Sequence, residues 1–113
     1  MIKLLIVGLV IANLAFNVIS NLSFKWSAAS QEVSGFLWWQ VVGNLAGLMT
    51  VIAFTLLLRH ISLNLAFSIT AGLGFIAVQV VGAWLVLHET ITPLQWLGTS
   101  FITGGIVLVC LGR

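Results

Sequence analysis

Acidic residues are almost absent from this chain. Among its 113 residues only Glu32 and Glu89 carry a carboxylate, and neither falls inside an apolar run. Charged residues of both signs make up 5%, against about 25% in a soluble domain. So little charge cannot cover a water-exposed surface, so the composition predicts an integral membrane protein. The formal net charge of +2 is too small and too dispersed to suggest a nucleic-acid partner. One cysteine, Cys110, cannot close a disulfide within the chain and reads as a small packing residue. One proline, Pro93, marks a helix start rather than a kink.

Catalytic patterns are missing too. No pair of carboxylates shares a segment, and the serines have no neighbouring histidine base. No glycine-rich phosphate loop occurs. His60 and His88 sit at span ends without metal-ligand company. The expectation is therefore a protein that is not an enzyme and has no cofactor or metal site. Glu89 reads as part of a solvated helix end with a capping or pairing role.

What the chain has is apolar length: 61% of its residues are hydrophobic and its mean hydropathy is +1.24. Four runs are each close to the ~20 residues needed to cross a bilayer as a helix. They fall at about 4–22, 36–58, 62–87 and 93–111. A stretch holding Lys25, Ser27, Ser30, Gln31, Glu32 and Ser34 reads as a polar loop after the first. Arg59-His60 ends the second run, His88-Glu89 ends the third, and Thr92-Pro93 opens the fourth. Met1-Ile2-Lys3 before an apolar run has the look of a signal peptide, but the run is long and carries asparagines at helical spacing, which favours a span. Backbone groups in lipid must be satisfied internally, and the alternating strands of a barrel are absent. The expected fold is all-α, a single domain of four transmembrane helices.

Lys3, Arg59 and Arg113 fall at one side of such a bundle and Lys25 alone at the other. That bias predicts cytoplasmic termini. Trp26, Trp38, Trp39, Trp84 and Trp96 all fall near the opposite ends of their spans. They suit an aromatic belt at headgroup level, or a mouth where indole faces meet a sugar or a cation.

Polar residues inside the spans form stripes. Asn13, Asn17, Ser20 and Asn21 fall within an arc of roughly 100° on the first helix. Gln40, Asn44 and Gly47 share a face of the second. Asn64, Ser68, Ala71, Gly72, Phe75, Gln79 and Gly82 follow one line on the third. Such groups can join helices through hydrogen bonds of about 0.6 kcal/mol each, or line a polar cavity. Asn and Gln are expensive to bury without partners, and the eight within the spans exceed what joining helices needs. The reading is a substrate cavity lined by Asn13, Asn17, Ser20, Asn21, Gln40, Asn44, Ser68 and Gln79. Gly98 and Gly105 lie seven residues apart on the fourth span with Gly104 beside the second. This flat strip predicts a dimer contact, with the fourth span outside the cavity.

Four spans in so short a chain, Lys25 after the first and the glycines of the last resemble the small multidrug resistance proteins, minimal members of the drug/metabolite transporter superfamily. The segment Ala66-Phe67-Ser68-Ile69-Thr70-Ala71-Gly72-Leu73-Gly74 is similar to that family's span-three signature, Ala-Tyr-Ala-Ile-Trp-Ser-Gly-x-Gly. The family's essential glutamate precedes the lysine by eight residues, a position held here by Asn17. An amide does not cycle between charged and neutral forms, so the resemblance implies transport without simple proton-for-cation exchange. His88-Glu89, Thr92-Pro93, Trp96, Gly98, Phe101-Ile102 and Gly104-Gly105-Ile106-Val107 are similar to the end of the aminoarabinose-phosphoundecaprenol flippase subunits.

The two resemblances imply a bacterial inner-membrane transporter working by alternating access on an amphipathic or lipid-linked polar substrate. Lys3 and Arg59 would attract a phosphate or simply mark topology. The implied assembly is a homodimer, or a heterodimer with a similar subunit. A multidrug or guanidinium-type cation exporter and a non-transporting accessory subunit of a larger membrane complex are the alternatives.

Overall fold

The computed structural model describes residues 2–112. Arg113, counted above among the charges that set topology, lies outside them, as does Met1. The chain forms α1 (Ile2–Ala29), α2 (Val33–Leu58), α3 (Leu63–Ala77) and α4 (Pro93–Leu111). A π-helical segment, Val78–Val86, prolongs α3 without a break. All four helical units, Leu63–Val86 counting as one, are long and apolar enough to cross a membrane. The architecture is all-α.

The distribution of side chains is the reverse of a soluble protein's. Buried apolar residues are few and mostly small: Ala46, Ala53, Leu57 and Ala66. Large apolar side chains such as Leu4, Trp38, Leu94, Phe101 and Leu111 point outward. Lipid gives no reason to hide leucine, so helices in a membrane meet through small and hydrogen-bonding residues instead.

The α1–α2 contact illustrates this. Asn13 Nδ2 donates to the main-chain oxygen of Thr50 at 3.0 Å, Ser20 Oγ to that of Gly43 at 2.9 Å, and Ser27 Oγ to that of Phe36 at 2.8 Å. Donors recur every seven residues going up α1 and acceptors every seven going down α2. An antiparallel pair held at that repeat keeps the same seam facing its partner along the whole contact. Gln40 Nε2 adds a bond to Ser27 Oγ at 3.2 Å. Gly43 permits the close approach: a Cβ there would stand 2.6 Å from the Phe24 ring.

This seam corrects the first boundary. The polar loop expected after residue 22 is instead the last two turns of α1, which runs to Ala29 and carries Lys25, Trp26 and Ser27. Ser23 and Ser27, polar in the sequence, are among the most deeply buried residues of the bundle. The actual turn is Ser30–Glu32, and Ser34 already belongs to α2. At about 1.5 Å per residue, the 28 residues of α1 exceed a hydrocarbon core of about 30 Å.

The third span runs parallel to α1, with Leu14 and Asn17 beside Gly74, and Val18 and Leu22 beside Gly82. Among the described residues α4 packs against the third span alone, on α3, where Ile106 closes onto Gly72, and on the π segment. Ser62 caps the start of α3, and Thr92 with Gln95 forms a capping box ahead of Pro93 on α4. Trp26 and Trp39 meet at 5.0 Å with their rings tilted by 50°, and Trp84 and Trp96 meet edge-on at 5.7 Å, so one end of the bundle is girdled by indoles.

The end of the third span is unusual. Bonds in a π-helix close five residues back instead of four, and such segments occur preferentially at functional sites. Here Leu87 N–H donates to Gly82 O at 3.0 Å, and Glu89 N–H reaches back to Ala83 O at 2.8 Å. Between them His88 takes a left-handed backbone with φ 57°. This cap resembles the usual left-handed helix ending, one residue wider as the π ladder requires. It folds the chain back so that Glu89, Thr90 and Ile91 cross the end of the bundle.

Candidate functional site: an amide-walled cavity between α1, α3 and α4

Because α4 touches only the third span, its N-terminal half stands away from α1. The gap is a cavity of about 640 Å³. Asn17 and Asn21 of α1 form one wall, and Gly74, Phe75, Val78, Gln79 and Ala83 form the floor. Gln95, Gly98, Thr99 and Ile102 of α4 close the far side, and Glu89, Thr90 and Ile91 lie at the mouth. The expectation that the fourth span stands outside the cavity is therefore corrected. Gln95 and Thr99 were the polar residues missed, because the first reads as a helix cap and the second as a lone hydroxyl.

A second cavity, about 210 Å³, lies between α1, α2 and α3 against Asn13, Asn17, Thr50, Val51, Phe54, Phe67, Thr70 and Ala71. Its polar groups are largely committed. Asn13 Nδ2 is bound to Thr50 O, while Thr50 Oγ1 and Thr70 Oγ1 each donate to the carbonyl four residues back. It is thus a mostly apolar recess. Asn17 belongs to the walls of both cavities.

The eight residues proposed from sequence therefore fall into separate groups. Asn17, Asn21 and Gln79 meet at the large cavity. Asn13 borders the small one. Ser20 and Gln40 are engaged in the α1–α2 seam. Asn44 is exposed and folds back to donate to Gln40 O at 2.7 Å. Ser68 is half-buried on α3 and borders none of the cavities described here. The single line drawn along the third span does not persist, because the π segment changes the angle between successive side chains from Val78 onward. Of the two contact glycines, Gly98 borders the large cavity, and neither Gly98 nor Gly105 has a neighbour within reach of an added Cβ.

The mouth carries charge of both signs. Lys25 Nζ lies 4.0 Å from Glu89 Oε2, both side chains about half exposed. A pair so placed contributes roughly 0–1 kcal/mol to stability. Its consequence is local neutrality: the carboxylate nearest the cavity is matched by the ammonium of α1. Among the described residues no group of His, Cys, Asp and Glu could hold a metal ion.

No family model matches the chain, and no solved structure matches it.

Proposed function

We propose that this chain is a membrane transporter of the small multidrug resistance-like class, moving an amphipathic or lipid-linked polar substrate by alternating access. The observation that carries the reading is the large cavity: side-chain amides of α1, the π segment and α4 converge on about 640 Å³ of space in a bundle whose outside is largely apolar. Amide N–H groups left unpaired in apolar surroundings are costly unless something polar visits them. A π-helical floor and a wall helix held along one side only are suited to opening and closing that space. The resemblances in the third and fourth spans agree with the reading, as does Asn17 at the position of the family's glutamate.

The working unit in this proposal is a homodimer or a heterodimer with a similar subunit. The open face of α4 at Gly104 and Gly105 is its contact. The membrane is the bacterial inner membrane, with cytoplasmic termini on the bias of Lys3 and Arg59 against Lys25. The test is Asn17→Leu in reconstituted vesicles. Flux of a labelled amphiphile falls to background while insertion and helix content stay at wild-type level. Undiminished flux in that variant removes the cavity assignment.

One observation favours cation export as a second reading, namely the Glu89 carboxylate at the cavity mouth. Growth in quaternary ammonium compounds tests it. Resistance that depends on a proton gradient and is lost in Glu89→Gln would favour it over the first.

A further inference from the structure

Two of the amides on the cavity wall have their orientation forced by the chain itself. Asn21 Nδ2 lies 2.8 Å from the main-chain oxygen of Asn17 and 2.7 Å from Asn17 Oδ1. A main-chain carbonyl can only accept, so the Asn21 atom there is the nitrogen, and its two protons serve the two oxygens. The Asn17 atom facing Asn21 is therefore its oxygen. Asn17 Nδ2 is left pointing at Gly74, on the cavity wall, with no hydrogen bond to any described residue. It is not a fully buried atom either, since no buried side-chain nitrogen or oxygen lacks a partner among the described residues.

Gln95 is locked in the same sense. The main-chain N–H of Thr92 donates to Gln95 Oε1 at 2.9 Å. A main-chain N–H can only donate, so Gln95 Nε2 is the open end. Gln79 is different. Thr99 Oγ1 contacts both Gln79 Oε1 at 2.5 Å and the main-chain oxygen of Gln95 at 2.9 Å. The hydroxyl has one proton for two acceptors. When that proton goes to Gln95 O, Gln79 can turn its nitrogen to Thr99 and its oxygen to the cavity. Gln79 is thus adaptable, whereas Asn17 and Gln95 present only N–H.

We propose that the cavity takes the head of its cargo as a hydrogen-bond acceptor: an oxygen-rich head without net positive charge, with a phosphoryl group as the strongest case. This deepens the transport reading and rests on it. Asn17 Nδ2 donates from α1 and Gln95 Nε2 from α4. Gln79 matches whatever the head offers between them, and the exposed Asn21 Oδ1 receives a hydroxyl. A cation would meet fixed donors at these two places and a carboxylate already matched by Lys25.

Binding is measured in phosphatidylcholine nanodiscs with radiolabelled dodecyl phosphate, inorganic phosphate and dodecyltrimethylammonium. Dodecyl phosphate binds wild-type protein saturably, and binding weakens about tenfold in Asn17→Asp, the scale of one charge-assisted hydrogen bond. This variant keeps the shape and puts a negatively charged acceptor where the donor stood. Gln95→Glu is the second variant. It retains the oxygen that caps Thr92, lies at an exposed helix start, and puts a carboxylate oxygen where the open N–H stood; it weakens binding as well. Displacement of dodecyl phosphate by inorganic phosphate keeps the assignment and identifies a free anion as the source of the head. Failure to displace keeps it and identifies a lipid-borne head. Dodecyltrimethylammonium binding as tightly as dodecyl phosphate overturns the proposal, and so does dodecyl phosphate binding that neither variant changes. Vesicle flux is read separately. Asn17-dependent binding without flux overturns transport and leaves the head assignment standing, whereas flux unaffected by Asn17→Asp and Gln95→Glu does the reverse.

Discussion

A Cβ added to Gly74 would stand 2.6 Å from Asn17 Nδ2. The α3 glycine and the α1 amide are thus in direct contact, and the glycine leaves the space into which the only open end of Asn17 points. Replacing Gly74 by alanine must turn or displace that amide, since the helix backbone carrying the new methyl cannot give way as easily as a side chain tip. Gly74→Ala should lower vesicle flux about tenfold, the equivalent of ~1.4 kcal/mol, with helix content by circular dichroism unchanged. Gly98→Ala, which meets nothing within 4 Å, is the matched control and should retain flux.

The α1–α2 seam should behave as glue and nothing else. Ser20→Ala removes one interhelical bond, whereas Ser27→Ala removes two, because Gln40 also donates to Ser27 Oγ. At roughly 0.6 kcal/mol for each such bond in a membrane, the unfolding free energy in micelles is expected to fall by roughly 0.6 kcal/mol and roughly 1.2 kcal/mol respectively. The two sites are two turns apart, so the double variant should be close to additive. Flux per folded molecule should be unaffected.

His88 is held at φ 57°, a backbone that is unfavourable by about 1–2 kcal/mol for residues with a Cβ. His88→Gly should raise thermal stability by up to about 1 kcal/mol. His88→Val should lower it, because a β-branched side chain fits that backbone worst. Melting temperatures of the two variants in the same detergent decide the matter; equal shifts of one sign would contradict the strained cap.

Breaking the pair at the mouth should change binding more than stability. Glu89→Gln leaves the Lys25 ammonium unmatched beside the cavity entrance. Stability should move by less than about 1 kcal/mol, as expected for an exposed pair. Affinity for dodecyl phosphate should rise severalfold at low ionic strength, and the gain should fade as salt is added. Lys25→Gln should give the opposite change in affinity.

The helices and the cavity were not equally legible in the sequence. Apolar length marks the four helices, and Thr92-Pro93 marks the start of α4 directly, because capping is local chemistry that neighbouring residues carry themselves. The end of α1 was hidden. Lys25 and Ser27 look like a loop until the Ser27 hydroxyl is seen bonded to the Phe36 carbonyl of α2. That pairing depends on α2, which no local pattern around residue 27 reports. The same limit applies to the amides. Asn13 and Asn17 lie one turn apart on one face, yet one bonds to Thr50 and the other borders the large cavity. Composition distinguishes neither. The π ladder from Val78 leaves no trace in an apolar run, so the wall built by Gln79, Gln95 and Thr99 could be found only in three dimensions.

α4 touches one neighbour, and its first turns stand over open space. Tilting it away from α1 would break the Thr99–Gln79 bond and the Trp84–Trp96 contact while leaving every bond of the α1–α2 seam in place. In the proposed transport cycle, that movement would admit a guest broader than the resting volume sideways from the bilayer, with the unmoved hairpin of α1 and α2 as the rigid frame.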